Sequence, residues 1–356
     1  MNPAASSVGR NLRAASGNGR AVVSGGVVLA LLRALVLARL LLVVGLPVGA
    51  EVIREDFATD PALGAWRVHG DASHFDWNTE TGDLVVTWDS RRPNASFYLP
   101  LPTVLTRADS FRFRCRLVLD SIATESPEST FQIALGLVRQ ADAQAADFFR
   151  GAGIHPLWGP RNLVEFDYFP ASASIAPTLS AIAVASHNTR WATLDLFPFE
   201  LRPGTPYDLE VRHDAIAARL HLAVGEAGSP LAQGSVAVSA GFGDFRLDAF
   251  AVTSYSGDHQ PAGYGGQVLA LGRIDDLEIE FPSPPRVRLE ARRVGNDILV
   301  TLPAVTGWMP ILERRRETSD WIPLDEPPAP SEGGWEFRDS ASPHAAALYR
   351  IRWERP

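Results

Sequence analysis

Residues Phe111-Arg-Phe-Arg-Cys-Arg-Leu117 alternate apolar and charged side chains without a break. A period of two puts Phe111, Phe113, Cys115 and Leu117 on one face of a strand and Arg112, Arg114 and Arg116 on the other. That is the pattern of a sheet with one face in a core and one in water. Short segments of the same kind recur between residues 51 and 281, parted by clusters of Gly, Pro, Asn and Asp. Strands are expected at Asp83–Trp88, Ser110–Leu119, Thr130–Val138, Leu163–Phe169, Ala181–Ser186, Trp191–Phe197, Tyr207–His213, Ala218–Val224, Phe245–Tyr255 and Gly272–Phe281. Gln140–Arg150 is the one stretch that reads as a short helix. Ten or more strands with so little helix make an all-β chain, and a two-sheet sandwich hides one face of each sheet. Trp66, Trp77 and Trp88 are expected in its core.

Phe281-Pro-Ser-Pro-Pro285 ends this pattern, because successive prolines cannot continue a ladder and favour a stiff extended linker, placed at 282–286. Beyond it, Val287–Arg292, Asp297–Leu302, Pro310–Arg315, Asp320–Leu324, Trp335–Asp339 and Leu348–Trp353 give about six strands in roughly 70 residues. A small β-sandwich is expected at 287–356, with Tyr349, Ile351 and Trp353 on one face of its last strand. Hydrophobic residues fill 46% of the 356 positions, enough for one large core and one small one.

Residues 1–50 carry arginines at 10, 13, 20, 33 and 39, no acids, and then Leu40-Leu-Leu-Val-Val-Gly-Leu-Pro-Val-Gly-Ala50. This order is that of a secretory signal peptide, with Val48-Gly-Ala50 supplying the small residues of a cleavage site after Ala50. Arg33 and Arg39 interrupt the apolar run, which disfavours a retained membrane anchor. A secreted, periplasmic or cell-surface protein is expected, with membrane contact only through the export signal.

All 33 basic residues are arginine. A Schiff-base lysine, a phosphate-loop lysine and a lysine general base are thereby excluded. Without residues 1–50 the chain has 28 basic and 41 acidic residues, a formal charge of −13, and no basic stripe interleaved with aromatics. Nucleic acid and anionic lipid are therefore not expected as partners. Cys115 is the sole cysteine, so no internal disulfide forms, and its place on the apolar face makes it a buried, inert thiol. The eight histidines show no metal-binding spacing, and no Gly-x-Ser-x-Gly elbow occurs.

The chemistry-bearing segment is Asn162-Leu-Val-Glu-Phe-Asp-Tyr-Phe-Pro170. Alternation puts Glu165 and Asp167 on one face of a strand and Val164, Phe166 and Tyr168 on the other. Two carboxylates sharing a sheet face are costly unless solvated, hydrogen-bonded, bound to a cation or used in acid/base chemistry.

Asp56-Phe57 followed by Trp66, then Gly82-Asp-Leu84, Phe111-Arg-Phe113, Val164-Glu-Phe-Asp-Tyr-Phe169 and Gly272-Arg-Ile-Asp-Asp-Leu-Glu-Ile279, resembles the concanavalin A-like lectin/glucanase (laminin-G-like jelly-roll) superfamily over residues 51–281. The resemblance implies a jelly-roll sandwich. Ile311-Leu-Glu-Arg314, Trp321-Ile-Pro-Leu324 and Leu348-Tyr-Arg-Ile-Arg352 resemble the small Ig/fibronectin-III-like modules at the C-terminal ends of exported proteins of Verrucomicrobia-type bacteria, which serve as spacers or attachment units.

Laminarinase-type members of the superfamily carry Glu-x-Asp-x-Glu or Glu-x-Asp-x-x-Glu on a central strand. Glu165 and Asp167 match the first two acids, while Phe169 and Pro170 stand where the third would be. The acid/base of a glycoside hydrolase is thus missing, although carboxyls at i and i+2, roughly 6–7 Å apart, are not far from the about 5–5.5 Å of a retaining pair. Glu165 and Asp167 would be the catalytic residues if such an enzyme, or a polysaccharide lyase, survived here.

The lectin side of the resemblance needs only hydroxyl-binding polar groups and an aromatic platform, for which Glu165, Asp167, Trp158, Asn188, Arg190 and Trp191 are the candidates. The expected ligand is an extracellular or cell-wall polysaccharide. In such jelly rolls the first and last strands lie side by side, which would bring Glu55 and Asp56 near Asp275 and Asp276 and allow a structural calcium. A structural surface protein, in which both modules mediate protein contact, is the remaining alternative.

Overall fold

The computed structural model describes residues 49–124, 131–153, 159–173, 175–187, 190–261, 266–316, 321–324, 326–331, 333–340 and 347–355. Residues 49–356 form one unit. Its strands, in chain order, are β1 (Ala50–Glu55), β2 (Arg67–His69), β3 (Phe75–Asn78), β4 (Asp83–Asp89), β5 (Ala95–Thr106), β6 (Phe111–Thr124), β7 (Ile133–Val138) and β8 (Leu163–Phe169). They continue with β9 (Thr178–Val184), β10 (Trp191–Leu196), β11 (Pro206–Asp214), β12 (Arg219–Glu226), β13 (Ser229–Ala237), β14 (Arg246–Ser254) and β15 (Val268–Pro282). A C-terminal set follows: β16 (Glu290–Val294), β17 (Asp297–Pro303), β18 (Met309–Arg316), β19 (Ile322–Pro323), β20 (Ala329–Ser331), β21 (Gly334–Asp339) and β22 (Ala347–Glu354).

These strands build an all-β protein of two large sheets and a smaller one. The first sheet runs β13-β12-β11-β6-β15-β4-β3, with β1 also on β15; the second runs β10-β9-β8-β7-β14-β5, with β2 also on β5. Between them lies a core that includes Phe113, Leu117, Val164, Phe166, Phe250 and Ile279, each essentially without solvent contact. The alternation of β6 holds as expected: Phe111, Phe113, Cys115 and Leu117 are buried. Arg112, Arg114 and Arg116 point outward, where Glu278 of β15 accepts hydrogen bonds from Arg54, Arg112 and Arg114. Trp66 and Trp88 are core residues, whereas Trp77 is half-buried and donates its indole N–H to Phe57 O at 2.8 Å.

Only Gln140–Ala143 of the expected Gln140–Arg150 helix is α-helical (α1), and Arg150–Ala152 forms a separate 3-10 turn. Apolar residues in this segment, notably Phe148, face a sheet instead of repeating at helical spacing, so nothing sustains a longer helix.

In the C-terminal set, β16-β17-β21-β20 form the small sheet and β22-β18-β19 face it across a second core of Val300, Leu302, Leu312, Phe337 and Trp353. Tyr349 and Ile351 pack on this core from the same face of β22 as Trp353. Regular pairing stops at Pro282, opposite Ala50, and no strand spans 283–289. The two cores are separate, yet the sheets are not: β22 pairs in parallel with β5 through Trp353↔Thr103 and Glu354↔Val104, so the second large sheet runs on into β22-β18-β19. Thr103 Oγ1 donates to Trp353 O at 2.8 Å, and Arg352 Nη1 to Asp248 Oδ2 at 2.6 Å.

Candidate functional site

β8 places the carboxylate pair as its alternation dictates. Val164, Phe166 and Tyr168 enter the core, and Glu165 and Asp167 project from the opposite face of the second sheet. Their cross-strand neighbours there are small: Gly136 stands opposite Glu165 and Ala134 opposite Asp167 on β7, and Ala251 stands opposite Gly136 on β14. This leaves depth above the sheet, which the 139–153 segment fills.

Arg150 enters that depth. Its Nε donates to Glu165 Oε1 at 2.6 Å and its Nη2 to Asp167 Oδ2 at 2.7 Å, while Tyr255 Oη donates to Glu165 Oε2 at 2.9 Å. Glu165, Asp167 and Arg150 are 1%, 0% and 5% exposed, so the cluster lies out of contact with bulk water. Packing holds the arginine in place: Phe148 stacks on Tyr255, Asn94 Nδ2 donates to Phe148 O, and a Cβ on Gly151 would lie 2.7 Å from Asp258 O. Trp191, half-buried at the start of β10, has the Arg150 guanidinium 5.2 Å from its ring centroid.

One guanidinium faces two carboxyls. Burial raises the Asp167 pKa well above the ordinary carboxylate range, opposed by Arg150 and reinforced by the Glu165 charge. Burial disfavours the charge on Arg150, but Asp167 and Glu165 outweigh it and hold the guanidinium protonated. Burial and the Glu165 charge push the Tyr255 phenol far up. One guanidinium balances one carboxylate charge, and the upward shift of Asp167 is in the direction that brings the cluster toward neutrality, which burial favours. Such a cluster orders a loop. With the guanidinium between the carboxyls, there is no room among them for a scissile bond.

Of the residues expected at the site, Glu165, Asp167 and Trp191 are thus gathered around Arg150. Arg190 is exposed at the rim, its carbonyl accepting from Ala185 N. Trp158 and Asn188 lie outside the described residues. Arg150 itself was not anticipated; the signal was an arginine directly after Phe148-Phe149, a charge with no solvated face to sit on.

The expected calcium quartet does not assemble. β1 and β15 do pair, with Glu55 opposite Leu277, but Glu55 accepts from Trp66 Nε1 and Phe57 N, both at 3.1 Å. Asp56 accepts from Ala58 N, Asp275 from Asp276 N, and Asp276 pairs with Arg116 at 2.7 Å. Among the described residues no group of three or more His, Cys, Asp or Glu side chains could hold a metal ion.

An open recess lies farther along the same side of the second sheet, where it continues into β18 and β22. Register puts Glu313 and Arg315 of β18 on one face with Arg350 and Arg352 of β22. With Tyr98 and Pro100 of β5, Gln140 and Gln144 at α1, Asp248 and Trp321, they line a groove of about 420 Å³. Arg315 and Arg350 lie 4.9 and 4.6 Å from the Trp321 ring centroid, and Arg350 Nε donates to Glu313 at 2.6 Å. This groove was not read from the sequence, because neither sandwich carries it alone.

No protein-family model matches the chain, and no curated protein matches its sequence. Among solved structures, peanut lectin with a nine-residue peptide is 12% identical, aligned over 66% of this chain and 100% of its own, with a TM-score of 0.41. Winged bean acidic lectin complexed with methyl-α-D-galactose is 9% identical over 67% of this chain and 100% of its own, with a TM-score of 0.43. The CBM2 module of the evolved Dit of Lactobacillus casei BL23 phage J-1 is 13% identical over 67% and 98%, with a TM-score of 0.38.

Proposed function

We propose that this chain is a non-catalytic binding protein for an extracellular saccharide, and that its ligand seats in the groove between the β5 region and the β18/β22 pair. The observation that carries this is the contrast between the two polar sites. Glu165 and Asp167, the residues a hydrolase would need, are buried and tied to Arg150 and Tyr255. The groove is open and offers planar polar groups, Gln140, Gln144 and the arginines, on a floor of Tyr98 and Pro100. Planar amides and guanidinia match pairs of sugar hydroxyls, and the volume suits one or two sugar rings. The protein is exported, with cleavage after Ala50. What supports this is the leader-like order of residues 1–50 and the start of β1 at Ala50, so that removal of the leader takes only the terminal Ala50↔Pro282 pair and leaves Glu51–Glu55 on β15. Cell-wall or other extracellular polysaccharide is the partner.

The test is retention of the protein on a panel of immobilised polysaccharides, with and without chelator, scored together with release of reducing ends. Expected are retention by wild type and by Glu165→Gln, weaker retention by Trp321→Ala, and no reducing ends. Reducing ends that vanish in Glu165→Gln would establish a hydrolase instead, and absence of retention on every polymer would favour a structural surface protein.

A further inference from the structure

Charge is distributed unevenly along the groove. Four arginines, Arg67, Arg315, Arg350 and Arg352, line it against two acids, Asp248 and Glu313, in a chain whose formal net charge is −8. Both acids are already engaged. Glu313 accepts from Arg350 Nε at 2.6 Å and lies 3.1 Å from Arg352 Nε. Asp248 accepts from Arg352 Nη1 at 2.6 Å and from Gln140 N at 2.8 Å. Arg67 directs Nη1 to the carbonyls of Gly64 and Trp66.

Arg315 is different. Among the described residues no carboxylate pairs with it; its neighbour is the Trp321 ring, and its Nε is buried with no hydrogen-bond partner. Arg350 shares that indole, so two guanidinia crowd one ring while a single carboxylate, Glu313, sits beside them. An indole face steadies a guanidinium but does not satisfy its N–H donors. Arg315 also lines the adjoining recess formed by Leu63, Gly64, Trp66 and Val68, as does Arg67. The two arginines therefore mark the junction of two recesses, and Arg315 is held there by the β18–β22 ladder, opposite Leu348.

We propose that this junction is an anion subsite, in which Arg315, positioned by Trp321 and assisted by Arg67, takes the carboxylate or sulfate group of an acidic saccharide. The proposal rests on the saccharide-binding function above and names its ligand class. A carboxylate or sulfate presents two oxygens to the N–H groups of a guanidinium, supplies the negative charge that no described carboxylate gives Arg315 and relieves the repulsion between Arg315 and Arg350. Neutral sugars can do only the first of these, and weakly.

Titration calorimetry on the full chain separates the outcomes, with oligogalacturonate, its methyl ester, neutral galactan, sulfated galactan and poly-glutamate as probes. Oligogalacturonate or sulfated galactan should bind at least about tenfold more tightly than the ester and neutral galactan, and which of the two acidic polymers is preferred assigns carboxylate or sulfate. The preference should weaken with added salt and be lost in Arg315→Gln, with Arg315→Lys intermediate because it keeps the charge without the fork. Thermal melting confirms that each variant is folded; should Arg315→Gln fail to fold, the ester-against-acid comparison on wild type decides alone. Equal binding of acid and ester, or an unchanged preference in folded Arg315→Gln, overturns the subsite and leaves saccharide binding intact. Poly-glutamate binding as tightly as oligogalacturonate keeps the anion subsite and overturns the saccharide function. Absence of binding by every probe overturns both.

Discussion

Gly136 and Glu165 face each other across the β7/β8 ladder so closely that a Cβ on residue 136 would lie 2.5 Å from the Glu165 Cα and 2.5 Å from Val164 O. Both obstacles are backbone, so only a separation of the strands could relieve them. Gly136→Ala is therefore expected to destabilise by about 1–3 kcal/mol, the range of an overpacked core, and to loosen Glu165 from Arg150. Urea denaturation checks this; a midpoint equal to wild type would show that the strands yield at no cost.

Arg150 neutralises a site that cannot reach water. Arg150→Met is expected to cost about 3–5 kcal/mol, because it strands buried carboxyls without a partner. Glu165→Gln should cost less, since the amide oxygen can still accept from Arg150 and the amide N–H can donate to the Tyr255 hydroxyl oxygen. A double-mutant cycle between the two positions tests the coupling. The double variant should be more stable than the sum of the single losses implies, and strict additivity would mean that the 139–153 segment is held by its apolar contacts alone.

How far the sequence foretold this arrangement depends on whether a signal was local. β8 matches Leu163–Phe169 at both ends, since strict alternation marks a strand wherever it packs. β5 is not among the expected strands, and Pro100 and Pro102 obscure its pattern; they sit where the ladder to β14 shifts register, from Ala249↔Pro100 to Leu247↔Leu105. β13, with Pro230 and Gly234 and little apolar alternation, is an edge strand of the first sheet, where such residues are tolerated. The pairing of Glu165 with Asp167 on one face was legible, but their neutralisation was not. It depends on Arg150, fifteen residues upstream on an irregular turn, and on Tyr255, ninety residues downstream. The groove was hidden for the same reason: it exists only because β22 joins β5 across some 250 residues.

Cys115 tests the packing of the large core. Burial pushes its thiol up to about 12, so little thiolate exists near neutrality and what exists is shielded. A thiol-reactive disulfide reagent should leave the native protein unlabelled and react once per chain after denaturation. Rapid labelling of the native state would mean that the sheets part readily around β6.

Asp167 gives stability a pH dependence of definite sign. Its carboxyl faces Arg150 and Glu165, with Tyr255 beyond Glu165 and Ser180, which donates to Asp195, opposite it on β9. Burial raises its pKa in the folded state well above the ordinary carboxylate value, so between the two the folded protein holds a proton that the unfolded chain has released. The contribution is complete below the unfolded pKa and is lost as pH rises toward the folded one. Wild type should therefore lose stability relative to Asp167→Asn, whose side chain has no proton to release, over the pH range upward from the ordinary carboxylate pKa of about 4. Denaturation midpoints of the two proteins across that range provide the measurement. Parallel curves would show that Asp167 is ionised throughout and that Arg150 alone balances both carboxylates.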